Sequence, residues 1–231
     1  MPVHQLHLVT EPRRDPLELN RLVGCALAGG VDWVQLRNKS GSAASMYANG
    51  SVLRTLAHER GAALAINDRL DVALALGADG VHLAGQSLPV AAAVELAAGR
   101  ITIGRSVHSL SEAVEAAQAG ADYLTFGHVF PTTSHPGLPP RGLTELAEIV
   151  RAVDVPVLAI GGITADNLDS VLSTGCAGIA VISAILADRE PERAATRLRA
   201  ALDTSTHHPR HPFPSPARRI PHAANRQPTT V

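Results

Sequence analysis

The chain has 231 residues, 45% of them hydrophobic but only 3% aromatic, with a net charge of −1. That length and composition suit one sizeable domain with a core of Ala, Val, Leu and Ile, and the near-neutral charge gives no support to nucleic-acid or membrane binding. Two cysteines, Cys25 and Cys176, make neither a disulfide framework nor a zinc site, and in their Ala/Gly-rich settings they read as small buried hydrophobes.

Short β-branched or apolar runs alternate with Ala-rich stretches of helical period. The expected strands are Leu6–Val9, Trp33–Arg37, Leu64–Asn67, Gly80–Leu83, Ile101–Gly104, Tyr123–Gly127, Val157–Gly161 and Gly178–Ile182. The helices expected between and after them are Pro16–Ala28, Ala43–Glu59, Leu70–Leu76, Pro89–Ala97, Ser111–Ala119, Leu143–Ala152, Asp166–Ser173 and Pro191–Leu202. Strands and helices alternating at this spacing imply parallel strands with helical crossovers, and eight units imply an α/β fold of the closed (β/α)8 TIM barrel type over residues 1–203. Gly77-Ala78-Asp79 and Gly120-Ala121-Asp122 precede strands, with Gly29-Gly30-Val31-Asp32 and Gly175-Cys176-Ala177 as variants. Glycine there suits the left-handed residue that closes a helix. Residues 204–231 are rich in Pro, His and Arg and lack apolar periodicity, so they are expected to form a disordered tail. Its histidines (His207, His208, His211, His222) offer adventitious metal contacts at most. No apolar run approaches the roughly 20 residues that span a bilayer, and Met1–Thr10 has no apolar leader core, so a cytoplasmic chain is expected.

In such barrels functional residues sit at the carboxyl ends of the strands. After the second and third strands stand Arg37 and Lys39, then Asn67 and Asp68: positive charge beside polar groups able to hold a substrate or one side of a Mg2+ ion, or else a surface salt bridge. After the fifth strand come Arg105 and Ser106. His128, at the end of the sixth, is either a proton-transfer group or a core imidazole bonded to a carbonyl, whereas His82 lies inside a strand and reads as structural. The segment 131–142, with Thr132, Ser134 and His135, has the length of a lid or binding loop, or of an exposed crossover. Gly161-Gly162 and Ile182-Ser183 follow the seventh and eighth strands, where this fold commonly cradles a phosphate on free backbone N–H groups.

Together Gln-Leu-Arg-Asn-Lys at 35–39, Ile-Asn-Asp at 66–68, Gly-Val-His-Leu at 80–83, Gly-Arg-Ser at 104–106, the Pro-Thr-Thr-Ser loop, Ile-Gly-Gly-Ile at 160–163 and Val-Ile-Ser-Ala-Ile at 181–185 resemble the thiamine phosphate synthase superfamily over about residues 4–202. The resemblance implies one of two activities. Synthases join hydroxymethylpyrimidine pyrophosphate to thiazole phosphate, using Mg2+ between two aspartates and a lysine in the Pro-Thr loop. Thiazole tautomerases only aromatise a carboxylated thiazole phosphate and need no metal, and they resemble this chain at 104–109 and 126–130.

Two departures favour the tautomerase. Ser87 stands where the synthase has its second aspartate, and His135 where it has lysine. Fewer anionic ligands and less fixed positive charge weaken a magnesium-diphosphate site. The expectation is therefore an isomerase without cofactor. His128 shuttles the proton, Gly161, Gly162, Ile182 and Ser183 hold the phosphate, and Arg37, Lys39, Asn67, Arg105, Ser106, Thr132 and Ser134 bind substrate. The synthase, with Mg2+ on Asp68, is the alternative. A non-catalytic thiazole-phosphate-binding regulator is another, and a phosphosugar isomerase or aldolase sharing only the cradle is a third. The expected partner is the small-molecule thiazole phosphate, with homo-oligomer formation left open.

Overall fold

A computed structural model describes residues 3–11, 15–134 and 136–213. Eight strands, β1 (Gln5–Val9), β2 (Trp33–Leu36), β3 (Ala63–Asn67), β4 (Gly80–Leu83), β5 (Thr102–Val107), β6 (Tyr123–Gly127), β7 (Val157–Ile160) and β8 (Gly178–Val181), pair in parallel and in chain order into a closed barrel. Helices α1 (Pro16–Ala28), α2 (Ala43–His58), α3 (Leu70–Leu76), α4 (Val90–Ala97), α5 (Leu110–Gln118), α6 (Gly142–Ala152) and α7 (Leu168–Leu172) form the crossovers. The short α8 (Ser183–Leu186) and α9 (Pro191–Asp203) follow β8. The fold is a (β/α)8 TIM barrel. Among the described residues no helix is long and apolar enough to cross a membrane.

Side-chain alternation splits each strand between two cores. Leu6, Leu8, Val34, Leu64, Ile66, Val81 and Leu124 face outward and join the helices in one apolar cluster. Trp33, Ala63, Ala65, Tyr123 and Leu158 form a second cluster inside the barrel. Two residues further along their strands, the buried interior becomes polar: Gln35, Asn67, His82 and Thr125. This polar layer is the floor of the mouth.

The Gly-x-Asp motif serves both of its ends. Gly77 and Gly120 have φ of 60° and 95°, as the helix-closing role requires. Asp32, Asp79 and Asp122 then reach sideways. Their carboxylates accept the N–H of Leu6 at 2.7 Å, Leu64 at 2.9 Å and Ile103 at 2.7 Å, the second residue of β1, β3 and β5. Each aspartate thus ties the start of one strand to the next. Arg199 on α9 pairs with Asp32 at 2.9 Å and donates to the carbonyl of His4, closing the ring between the last helix and the first strand.

The Pro/His/Arg-rich segment behaves differently from the expectation over its first ten residues. Arg210 N–H donates to the carbonyl of Gly175, and the ring of Phe213 enters the base of the barrel, 5.1 Å from His7, 5.8 Å from Trp33 and 4.9 Å from Tyr123 between ring centres. A single aromatic ring packing end-on leaves no periodicity to read in the sequence. The rest of the expected tail, His222 included, lies outside the described residues. Phe213→Ala is expected to lower unfolding free energy by about 3 kcal/mol, the usual cost of emptying a buried aromatic site. The sole tryptophan, Trp33, lies against that ring, so its emission reports the vacated base directly.

Burial also sets an acid limit. Desolvation pushes the imidazole of His7 from 6.5 down to about 3, helped by nearby His82, and that of His82 down to about 4. Below pH 6.5 the unfolded chain binds protons that the folded chain does not, so stability is complete above 6.5 and falls as pH falls. At about 1.4 kcal/mol per unit and residue, the loss by pH 4.5 is on the order of 5 kcal/mol. Urea titrations at pH 7 and 4.5 measure it, and His7→Gln is expected to shrink the difference.

Candidate active site

The ends of β2 and β3 carry the charged part of the mouth. Thr10, fully buried at the end of β1, accepts the N–H of Arg37 at 2.9 Å and so fixes the chain where it leaves β2. The Arg37 side chain is half-buried, while Lys39 extends into solvent. Asp68 follows β3 with φ of 62°, a left-handed conformation that an aspartate tolerates better than most residues. Three donors converge on its carboxylate. Asn67 Nδ2 lies 2.5 Å from Oδ2, the Ala84 N–H lies 2.9 Å from Oδ1, and the Ser87 hydroxyl donates to Oδ1. The Ala84 N–H also reaches Ser87 Oγ at 2.8 Å. Position 87 therefore keeps an oxygen on the same carboxylate: the departure there removes a charge without dismantling the cluster.

The fifth strand corrects one boundary. It runs to Val107 instead of stopping at Gly104, so Arg105 and Ser106 are strand residues on opposite faces. Arg105 Nη1 donates to the carbonyl of Ala84 at 2.7 Å, linking β5 to the loop that carries Ser87. Ser106 Oγ lies 2.8 Å from His82 Nε2, whose Nδ1 lies 3.1 Å from the hydroxyl of Tyr123. His82 thus belongs to the mouth through Ser106 as well as to the core. Its spacing two residues beyond the buried Gly80, on the inward face, was the available signal.

The sixth-strand loop is pinned at its root. Arg141 N–H donates to the carbonyl of His128 at 3.0 Å and Gly142 N–H to that of Val129 at 3.1 Å. His128 itself is buried, and its Nε2 lies 3.3 Å from the carbonyl of Leu138, so the imidazole braces this loop. Thr132 Oγ1 accepts from the N–H of Ser134 at 3.4 Å, within the loop. His135 lies outside the described residues. Across the mouth, Gly161 and Gly162 have φ of 100° and 66°, and a Cβ on Gly162 would lie 2.5 Å from the carbonyl of Pro131. Asn167 Nδ2 holds the Gly162 carbonyl at 3.0 Å. Ile182 immediately precedes α8 and Ser183 opens it, where first-turn N–H groups lack helical partners.

The structure therefore brings Arg37, Asn67, Asp68 and Ser106 to one side of the mouth, with Arg105 on the outer face of β5 held to the Ala84 carbonyl, and Gly161, Gly162, Ile182 and Ser183 to another side, with Thr132 and Ser134 on the loop between. A (β/α)8 barrel with its polar and charged groups collected at the carboxyl ends of its strands has the layout of a barrel enzyme. A family model described as thiamine monophosphate synthase matches residues 6–185. This chain belongs to that family.

Its relatives narrow the comparison. A thiamine-phosphate synthase of Pyrococcus horikoshii is 44% identical over 199 residues, covering 86% of this chain and 95% of the relative. One of Chlorobium luteolum is 42% identical, covering 87% and 93%. Among solved structures, a thiamine phosphate pyrophosphorylase from Pyrococcus furiosus superposes with a TM-score of 0.79 at 41% identity, covering 87% of this chain and 96% of that one. These findings overturn the expected thiazole tautomerase, and with it the isomerase assignment. That expectation rested on two positions, Ser87 and His135, although Arg37, Lys39, Asn67 and Asp68 are all present. The structure gives the physical reason for Ser87, whose hydroxyl remains on the Asp68 carboxylate.

Proposed function

We propose that this chain is a thiamine-phosphate synthase, a transferase that joins hydroxymethylpyrimidine pyrophosphate to thiazole phosphate. The observation that carries the reading is the Asp68 cluster beside Arg37 and Lys39, in a chain that is 44% identical to a named synthase over most of its length. In the reaction the thiazole nitrogen donates its lone pair to the exocyclic carbon of the pyrimidine, an N–C bond forms, the C–O bond breaks, and pyrophosphate leaves with the electron pair. A substituted aromatic nitrogen has no proton to lose, so the step needs no general base. That frees His128 for bracing the loop through Leu138.

Mg2+ suits the donors present. Among the described residues no group of three or more His, Cys, Asp or Glu side chains gathers as a metal cage. Asp68 and Ser87 instead offer hard oxygens at one place, and Mg2+ is commonly held by one or two carboxylates together with substrate phosphates. Asp68 would hold it, with Ser87 adjoining, and when bound it would supply charge neutralisation on the departing pyrophosphate. Arg37 and Lys39 bind the same diphosphate as fixed cations. Asn67 orients the Asp68 carboxylate. The backbone of Gly161, Gly162, Ile182 and Ser183 binds the thiazole phosphate, and Thr132 and Ser134 supply hydroxyls at the loop.

The test is formation of thiamine phosphate from the two substrates by purified protein, with Mg2+ and then with EDTA. Metal-dependent product supports the reading. Wild-type protein that binds both substrates and forms no product overturns it.

A further inference from the structure

The three groups Tyr123, His82 and Ser106 form a line from the barrel core to the mouth, and the sequence builds it deliberately. A Cβ on Gly104 would fall on the ring and hydroxyl of Tyr123, so glycine at this strand position is what admits the phenol to the interior. The hydroxyl lies 3.1 Å from His82 Nδ1, and His82 Nε2 lies 2.8 Å from Ser106 Oγ. The rings of His82 and Tyr123 are 5.5 Å apart, and the far side of the phenol rests on Phe213 at 4.9 Å. Tyr123 and His82 are buried, whereas Ser106 is half-exposed at the top of the line.

A neutral imidazole has one donor and one acceptor nitrogen, and its neighbours decide which is which. A phenol is the better donor and poorer acceptor of the two hydroxyls, because its oxygen lone pair is shared with the ring. Tyr123 therefore donates to Nδ1, which leaves the proton on Nε2, and Nε2–H donates to Ser106 Oγ. With its oxygen occupied from below, Ser106 turns its own hydrogen toward the mouth.

We propose that Tyr123, acting through the tautomer of His82, is a positioning residue that orients the Ser106 hydroxyl as a donor to substrate during pyrophosphate displacement. The kinetic part rests on the synthase reading above, while the tautomer part does not. Tyr123→Phe keeps the ring and its contact with Phe213 and deletes only the donor. It is expected to lower kcat/KM by about five- to ten-fold, the worth of one hydrogen bond. In the Ser106→Ala background the same change is expected to have no further effect beyond about two-fold, since coupled residues are non-additive. A merely structural loss would instead multiply. Nitrogen chemical shifts of labelled histidine give the second readout. His82 in the wild type is expected as the Nε2–H form, and in Tyr123→Phe as a mixture of tautomers. Multiplying losses, or an Nδ1–H form in the wild type, overturn the proposal. Wild-type protein without synthase activity would defeat the functional reading, and the nitrogen shifts would then decide the tautomer on their own.

Discussion

Asp68→Asn is expected to reduce kcat/KM for thiamine phosphate formation by about 100-fold or more while leaving the fold intact. Removing one element of preorganised charge stabilisation typically costs 10²–10³-fold, and a metal clamp on a leaving group is worth several kcal/mol. Asparagine tolerates the left-handed backbone at this position, where φ is 62°, so strain does not confuse the result. It can still accept the Ala84 N–H. What it lacks is the negative charge and one acceptor oxygen. Residual activity is expected to need more Mg2+, and a thermal melt beside the kinetics separates this from unfolding. A variant with wild-type kcat/KM would remove Asp68 from the reaction.

Gly104→Ala is expected to act on stability and activity together. The added methyl would occupy the space of the Tyr123 ring, which is packed on Phe213 and cannot retreat without opening the base. Overpacking a core costs about 1–3 kcal/mol where neighbours adjust, and the upper end is expected here because a planar aromatic ring moves as one rigid body. Displacing the phenol also breaks its bond to His82 and so reaches Ser106. Urea denaturation gives the first effect. Saturation kinetics at a temperature where the variant is folded give the second. Wild-type stability would mean that the barrel interior is looser than its packing indicates.

Much of the barrel is legible in the chain. Gly80–Leu83 and Tyr123–Gly127 end where expected because glycine bounds a short β-rich run, and α1 begins at Pro16 and α3 ends before Gly77 for the reasons of fixed φ and left-handed closure. The fifth strand was harder. Glycine followed by Arg-Ser-Val-His resembles a turn, but Gly104 is small to admit Tyr123, a tertiary demand that no local pattern carries. The Asp32, Asp79 and Asp122 carboxylates were visible as part of a recurring motif, yet their partners lie on another strand.

The candidate site was legible in position more than in use. Arg37, Asn67, Asp68, Ser106, Gly161 and Ser183 all lie at the mouth because strand ends fix them there. Choosing between activities was a different problem. Ser87 read as a lost metal ligand, since a sequence shows the missing charge but not the hydroxyl resting on Asp68. His128 stood open between a proton-transfer group and an imidazole bonded to a carbonyl, and its contact with the Leu138 carbonyl depends on how a long loop folds back, which no local pattern carries. Phe213 could not be placed at all, because one ring filling the base of a barrel leaves no periodic trace.

Phosphorus NMR of the complete reaction tests the central claim most directly. Purified protein is mixed with Mg2+, hydroxymethylpyrimidine pyrophosphate and thiazole phosphate, and the phosphorus signals are followed together. The account predicts one pyrophosphate released for each thiamine phosphate formed, with both stopped by EDTA. Pyrophosphate release without thiamine phosphate, or neither product from folded protein that binds both substrates, would contradict it.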